Sequence, residues 1–425
     1  MILRPNRRQL LTGAAATGAG LALPRVARAE SISGVDRKFL FVQALGGWDM
    51  TRVFTPDLLG SEYVDTEPEA EASTVGGITF VDHPARPNTR AFFQARHSQL
   101  CIINGYYISS ISHSAAIRLM LTGSTDGMEA DWPSRLAAAR GTDHIVPYLV
   151  VGGPNFSGAY GVHVGHAGST GQLQGLARGD ILARSDQAVL APAGADSARV
   201  DAWLAEVAAR KAAAAAGGNR DRYSSFGTAL GRARELKSVA DTIDLDRGES
   251  FADQCALAAR ALSMGLSRCV SVAHPLAESN VEWDSHTEND FYQTDLFESL
   301  FLELEGLAAL LETTPGTVAP TLAEETIVVV LSEMGRTPLN NGANGKDHWP
   351  YGSALLWGPG VRGGQVVGAF DAAQYGIRVD LGTGAASESG SFIGNKVLGA
   401  TLMVLGDVDP LAEGIADEPL LAIVE

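Results

Sequence analysis

Apolar positions along the chain fall into two rhythms, and the exchange between them predicts an α/β protein. Runs rich in β-branched and aromatic residues recur at 38–44 (KFLFVQA), 100–103 (LCII), 146–151 (VPYLVV), 268–273 (RCVSVA), 326–332 (TIVVVLS) and 354–358 (ALLWG). They are nearly continuous rather than alternating, as strands covered on both faces require. Between and after them lie helix-like segments at 91–97, 115–121, 133–140, 251–266, 296–311 and 395–405. Strands separated by helices imply a mostly parallel sheet carrying its helices on its faces. Residues 152–248 change character, with glycine-rich turns and then Ala/Arg/Lys-rich helices at 197–215 and 223–241. The interval reads as a helical insert within one domain spanning 30–425.

The first 29 residues read as an address rather than as fold. Arg7 and Arg8 precede a mild Gly/Ala/Thr-rich apolar run, and Ala27-Arg28-Ala29 forms a small-x-small cleavage site before Glu30. Paired arginines with so weak an apolar run predict a twin-arginine (Tat) leader, with a Sec signal or a short helix as the alternatives. Export through the Tat machinery would place the protein in the periplasm or outside the cell. No stretch has the ~20 apolar residues that span a bilayer, so stable membrane insertion is not expected.

Composition narrows the partners. With 32 Lys and Arg against 49 Asp and Glu, the formal charge is -17; cleavage removes five arginines and no acids, giving -22. Such a field disfavours nucleic acid, and a small anionic ester would need a local cation to bind. Cys101, Cys255 and Cys269 form no CxxC and read as buried free thiols.

Polar clusters follow the strands, where open α/β sheets bind ligands. Asp49 lies in Gly46-Gly47-Trp48-Asp49 after the first strand, where an ordinary turn is the competing reading. Ser112-His113-Ser114 opens a helix, where a hydroxyl or imidazole meets free N–H groups or simply caps them. Asp284 and His286, two apart in an extended segment, point to one side and suit a cation such as zinc or manganese. A hydrogen-bonded Asp–His pair would account for them equally. Glu333 and Arg336 follow TIVVVLS and could simply pair with each other, and His348 lies in the loop Gly345-Lys346-Asp347-His348.

Together the stretches FVQALGGWDMTRVFTP, SHSAAIRLMLTG, WDSHTEND, VVVLSEMGRTPLNNGANGKDHWP and LLWGPGVRGGQVVGAFD, spread from Phe41 to Asp371, resemble the exported bacterial proteins of the DUF1501 family. That family is a branch of the alkaline phosphatase/sulfatase superfamily. The resemblance implies a three-layer α/β/α sandwich with a mostly parallel central sheet. It implies metal ligation by Asp49, Asp284, His286 and His348, with Glu333 in or next to the ligand set. It also implies a nucleophile opening the helix that ends in Thr122-Gly123, a count that lands on His113 or Ser114. Met334 stands where the superfamily has a metal-binding His, and a thioether is a poor donor to hard cations. At most one tightly bound ion is therefore expected, and Met334→His is expected to raise the metal content.

The function these features imply is an exported, divalent-metal-dependent hydrolase of a phosphate or sulfate ester. The metal would be zinc, manganese, magnesium or calcium. Ser114 or His113 would attack or activate water, and Arg336 would hold an anionic oxygen. The alternative is a catalytically silent binding or assembly protein on the same fold.

Overall fold

The computed structural model describes residues 33–167, 173–174, 177, 194–239, 245, 248–275 and 282–425; the expected leader lies outside them. Its strands are β1 (Lys38–Ala44), β2 (Glu71–Val75), β3 (Ile78–Asp82), β4 (Cys101–Tyr107), β5 (Tyr148–Val150), β6 (Val164–His166), β7 (Cys269–His274), β8 (Thr326–Leu331), β9 (Gly335–Arg336), β10 (His348–Trp349), β11 (Tyr351–Trp357) and β12 (Gln365–Val367). Its α-helices are α1 (Pro87–Arg96), α2 (His113–Thr122), α3 (Trp132–Ala138), α4 (Gly194–Ala214), α5 (Gly218–Val239), α6 (Phe251–Ser263), α7 (Asn289–Thr313) and α8 (Asn395–Leu405).

Eight strands form the central sheet in the order β12-β4-β11-β8-β1-β7-β5-β6. Every neighbouring pair is parallel except the two made by β11, which runs against β4 and β8. Val42 of β1 sits between Val272 of β7 and Val330 of β8. Alternate side chains enter two separate cores, as the period of a strand demands. Leu40, Val42, Val270, Val272, Val328 and Val330 pack towards α1, α6 and α7. Phe39, Phe41, Cys269, Ile327, Val329 and Leu331 pack towards α2, α3 and α8. The result is a three-layer α/β/α sandwich. Both faces of the inner strands are dry, which is why their sequences are continuously apolar.

The interval 152–248 is less purely an insert than its composition implies. Val164–His166 is a sheet strand, β6, paired with β5 at the edge. The helical part is the hairpin of α4 and α5, and Arg232 of α5 donates to the carbonyls of Gly141 and Val162. Helix α6 then begins with a reciprocal capping box between Ser250 and Asp253. All three cysteines are free and buried. Burial pushes the Cys101 and Cys269 thiols up to about 12, so both are inert neutral groups at ordinary pH. Among the described residues no helix is long and apolar enough to cross a membrane.

Candidate metal centre

Strands β1, β4, β7 and β8 run in one direction, so the segments that follow them emerge at one edge of the sheet. Strand β11 runs the other way and therefore enters the sheet at that same edge, directly after His348. The ribbon of β9 and β10 pairs His348 with Arg336. The segment carrying His286 is held against the loop before His348 by Lys346 N–H to Ser285 O (3.1 Å) and Asn289 N–H to Asn344 O (2.9 Å). A Cβ on Gly345 would lie 1.9 Å from His286 O, so only glycine permits this approach.

Three imidazoles and one carboxylate meet there. His286 Nε2 and His348 Nε2 are 2.9 Å apart, and each is 3.1 Å from Asp284 Oδ1. His113 Nε2, at the first position of α2, lies 3.2 Å from Asp284 Oδ2. One ligand atom each from His113, Asp284 and His348 fall within 4.8 Å of one another.

The second nitrogen of each ring determines what the first can do. His113 Nδ1 donates to Glu333 Oε1 (2.7 Å), His286 Nδ1 to Asp347 Oδ1 (2.8 Å), and His348 Nδ1 to the carbonyl of Ile111 (2.7 Å). All three partners are acceptors, so each Nδ1 carries a proton and each neutral ring turns the lone pair of Nε2 inward. Lone pairs facing one another and a carboxylate repel unless a cation lies among them. The nearest acceptor to His113 Nε2 is Asp284 Oδ2, at 3.2 Å. Nitrogen and oxygen donors, each histidine braced from behind, are the chemistry of a zinc- or manganese-type site.

Charge reinforces this. Burial would raise the Asp284 carboxyl, but His113 and Arg336 outweigh it and hold it well below the usual carboxylate range. The carboxylates of Asp284 and Glu333 in turn lift His113 to about 9.

Other residues read from the sequence lie elsewhere in the arrangement. Asp49 is fully buried and turned inward. Its carboxylate accepts from Thr51 N (3.0 Å), Thr51 Oγ1 (2.6 Å), Arg52 Nε (3.2 Å) and Asn289 Nδ2 (2.8 Å), with Lys346 Nζ at 3.0 Å. Burial opposes its charge, yet Lys346 and Arg52 hold it far below the normal range. Five donors, two of them cationic, occupy the carboxylate that the resemblance assigns to a metal.

Arg336 is likewise buried and does not pair with Glu333. It donates to the carbonyls of Gly46, Gly47 (2.8 Å), Trp283 (2.9 Å) and Lys346 (3.1 Å) and to Asp284 Oδ1 (2.7 Å). Its guanidinium fastens the loops together and has no reach left for a substrate oxygen. Glu333 accepts from Gly46 N–H (2.9 Å) and stands behind His113. Ser114 is exposed, and the residue of the first turn of α2 that reaches Asp284 is His113. Met334 is 0% exposed within the apolar core on the α2, α3 and α8 side.

The family model described as "protein of unknown function (DUF1501)" matches residues 40–380. The chain belongs to the DUF1501 family. No curated protein matches it. Solved structures similar to this DUF1501 chain include a protein in the alkaline phosphatase superfamily from Vibrio parahaemolyticus, at 11% identity and a TM-score of 0.38, covering 88% of this chain and 67% of that one. Another is the PsFucS1 sulfatase from Pseudoalteromonas sp., at 11% identity and a TM-score of 0.40, covering 92% and 72%.

Sequence reasoning passed over Lys346, Asn289 and Gln293. Gln293 accepts from Asp49 N–H (2.7 Å) and donates to Trp283 O (2.8 Å). A buried amide on a helix carries no sequence signature. Lys346, beside Asp347-His348 in a glycine-rich loop, was the one visible hint.

Proposed function

We propose that this protein is an exported, metal-dependent hydrolase of phosphate or sulfate esters. Asp284, His113, His286 and His348 would hold one divalent cation. The observation that carries this reading is the convergence of protonated-Nδ1 histidines on Asp284, with the three Nε2 lone pairs directed inward. A bound metal ion supplies Lewis acidity towards an ester oxygen. Asp347, Glu333 and the Ile111 carbonyl fix the ring orientations, and Arg336 sets Asp284 against the loops that carry the histidines. The cation would be zinc or manganese rather than calcium, because imidazole nitrogens dominate the donor set. Asp49 takes no part in holding it.

Export rests on the leader with Arg7 and Arg8, and the Tat machinery would be the partner in that step. Replacing both arginines with lysine should leave folded precursor in the cytoplasm.

The second reading is an exported binding or assembly protein without turnover. The internal salt bridges of Asp49 favour it, since they leave a single cation position where an in-line displacement gains from two. One experiment separates the readings: metal analysis of the purified mature chain, with hydrolysis of aryl phosphates and aryl sulfates measured on the same preparation. One bound ion with turnover supports the hydrolase; one bound ion without turnover on either ester class supports the silent protein.

A further inference from the structure

The edge of the sheet opposite the metal centre holds a cavity of about 530 Å³. It lies where β8 begins and β11 ends, under the last turn of α7. Thr326, at its floor, precedes Glu333 by seven residues of extended chain, so about 23 Å separates the two places. The walls divide by chemistry. Leu311 and Trp357 are buried and give the interior an apolar lining. Glu312, Glu324 and Glu425 are exposed and stand at the rim, and no Lys, Arg or His is among the lining residues. Arg96 reaches Glu312 from behind, but it also answers Glu305, so one cation serves two carboxylates there. Glu324 Oε1 accepts only from a neutral donor, the Thr321 hydroxyl (3.0 Å).

Thr326 turns this acidic recess into a shaped site. It opens β8 and shares a face with Val328 and Val330, which pack towards α7. Its side chain is therefore directed to the cavity side of the strand, opposite Leu311 and Glu312 of α7. It is 1% exposed, and its Oγ1 has no hydrogen-bond partner among the described residues. A buried, unpaired hydroxyl is unfavourable, and a valine of the same shape would avoid it. A strand that continues Ile-Val-Val-Val-Leu thus begins with a hydroxyl that the fold itself does not use.

We propose that this cavity binds a small organic amine that carries an apolar ring or chain and a hydroxyl at its far end. The ammonium group lies among the rim carboxylates. The apolar body runs along Leu311 and Trp357, and the hydroxyl bonds Thr326 Oγ1. An anion is disfavoured twice, by the rim and by the charge of -22 on the mature chain. The site is separate from the metal centre and does not rest on the hydrolase reading.

The test is calorimetry on the mature protein at low salt with three probes. Tyramine has all three features, phenethylamine lacks the hydroxyl, and 3-(4-hydroxyphenyl)propionate exchanges the ammonium for a carboxylate. Tyramine should bind once per chain, phenethylamine about tenfold more weakly for want of one neutral hydrogen bond, and the carboxylate not at all. Thr326→Val should lower tyramine to the affinity of phenethylamine and leave phenethylamine unchanged, with no fall in unfolding midpoint. Glu324→Gln, at the exposed rim, should weaken both amines and reduce the dependence of their binding on salt. Absence of saturable binding by either amine overturns the proposal. So does equal binding of the carboxylate, or undiminished tyramine affinity in folded Thr326→Val.

Discussion

His286 Nε2 and His348 Nε2 lie 2.9 Å apart, although the Nδ1 of each ring is already committed to an acceptor. Two neutral rings so arranged present lone pair to lone pair, and a shared cation removes the conflict. Purified protein treated with chelator should therefore bind one zinc or manganese ion per chain by calorimetry. Free ion at a hundred times Kd should stabilise it by about 3 kcal/mol. A flat titration with both metals would refute the assignment of the centre.

Asp347 braces His286 from outside the ligand set, and it is the most exposed member of the group. Asp347→Asn keeps an oxygen for Nδ1–H but removes the negative charge. Metal affinity should fall about tenfold, within the range usual for such outer partners, with little change in unfolding midpoint. Unchanged affinity would mean that the ring is oriented by packing alone.

Lys346 answers Asp49 inside the protein, and both side chains are fully buried. Lys346→Met leaves Arg52 as the remaining cation on that carboxylate, so the variant should lose about 3–5 kcal/mol in denaturant unfolding. A loss under 1 kcal/mol would show that Arg52 and the neutral donors suffice.

Met334 offers the opposite lesson from the one its sequence position implies. Because it packs in an apolar core, Met334→His would bury an imidazole without partners rather than supply a ligand. The variant should be destabilised by roughly 2 kcal/mol or more and bind no additional metal. A second equivalent of metal in the folded variant would contradict this placement.

Asp131 gives a pH signature remote from the centre. Burial pushes its carboxyl up to about 6, although it caps α3 through Ser134 N–H (2.8 Å) and accepts from Phe156 N–H (2.7 Å). Between the unfolded value near 4 and the folded value near 6, the native chain holds a proton that the unfolded chain has lost. This contribution therefore falls as pH rises through that window, by on the order of 3 kcal/mol, and is constant above it. Asp131→Asn should lack this slope. Parallel stability–pH curves for variant and wild type from pH 4 to 7 would disprove it.

Much of this was legible in the chain. The inner strands announced themselves because two dry faces demand uninterrupted apolar runs. The clusters at their carboxyl ends did meet, since a parallel sheet brings those ends to one edge. The β2–β3 hairpin was missed because its first strand, EASTV, is mostly exposed and carries no apolar pattern. Asp49 misled for a different reason: whether a carboxylate turns inward depends on Lys346, nearly three hundred residues away. The choice between His113 and Ser114 rested on where one helix starts, and a shift of one residue rotates a side chain by about 100°.

The antiparallel entry of β11 bears on when the centre can come into being. His113, Asp284 and His348 lie far apart along the chain, and the last reaches the cluster only through the ribbon that feeds β11 into the sheet. An emerging polypeptide therefore has no partial version of this pocket to offer a passing ion. Metal uptake becomes a late event, and a retained ion would certify that the whole sheet has closed.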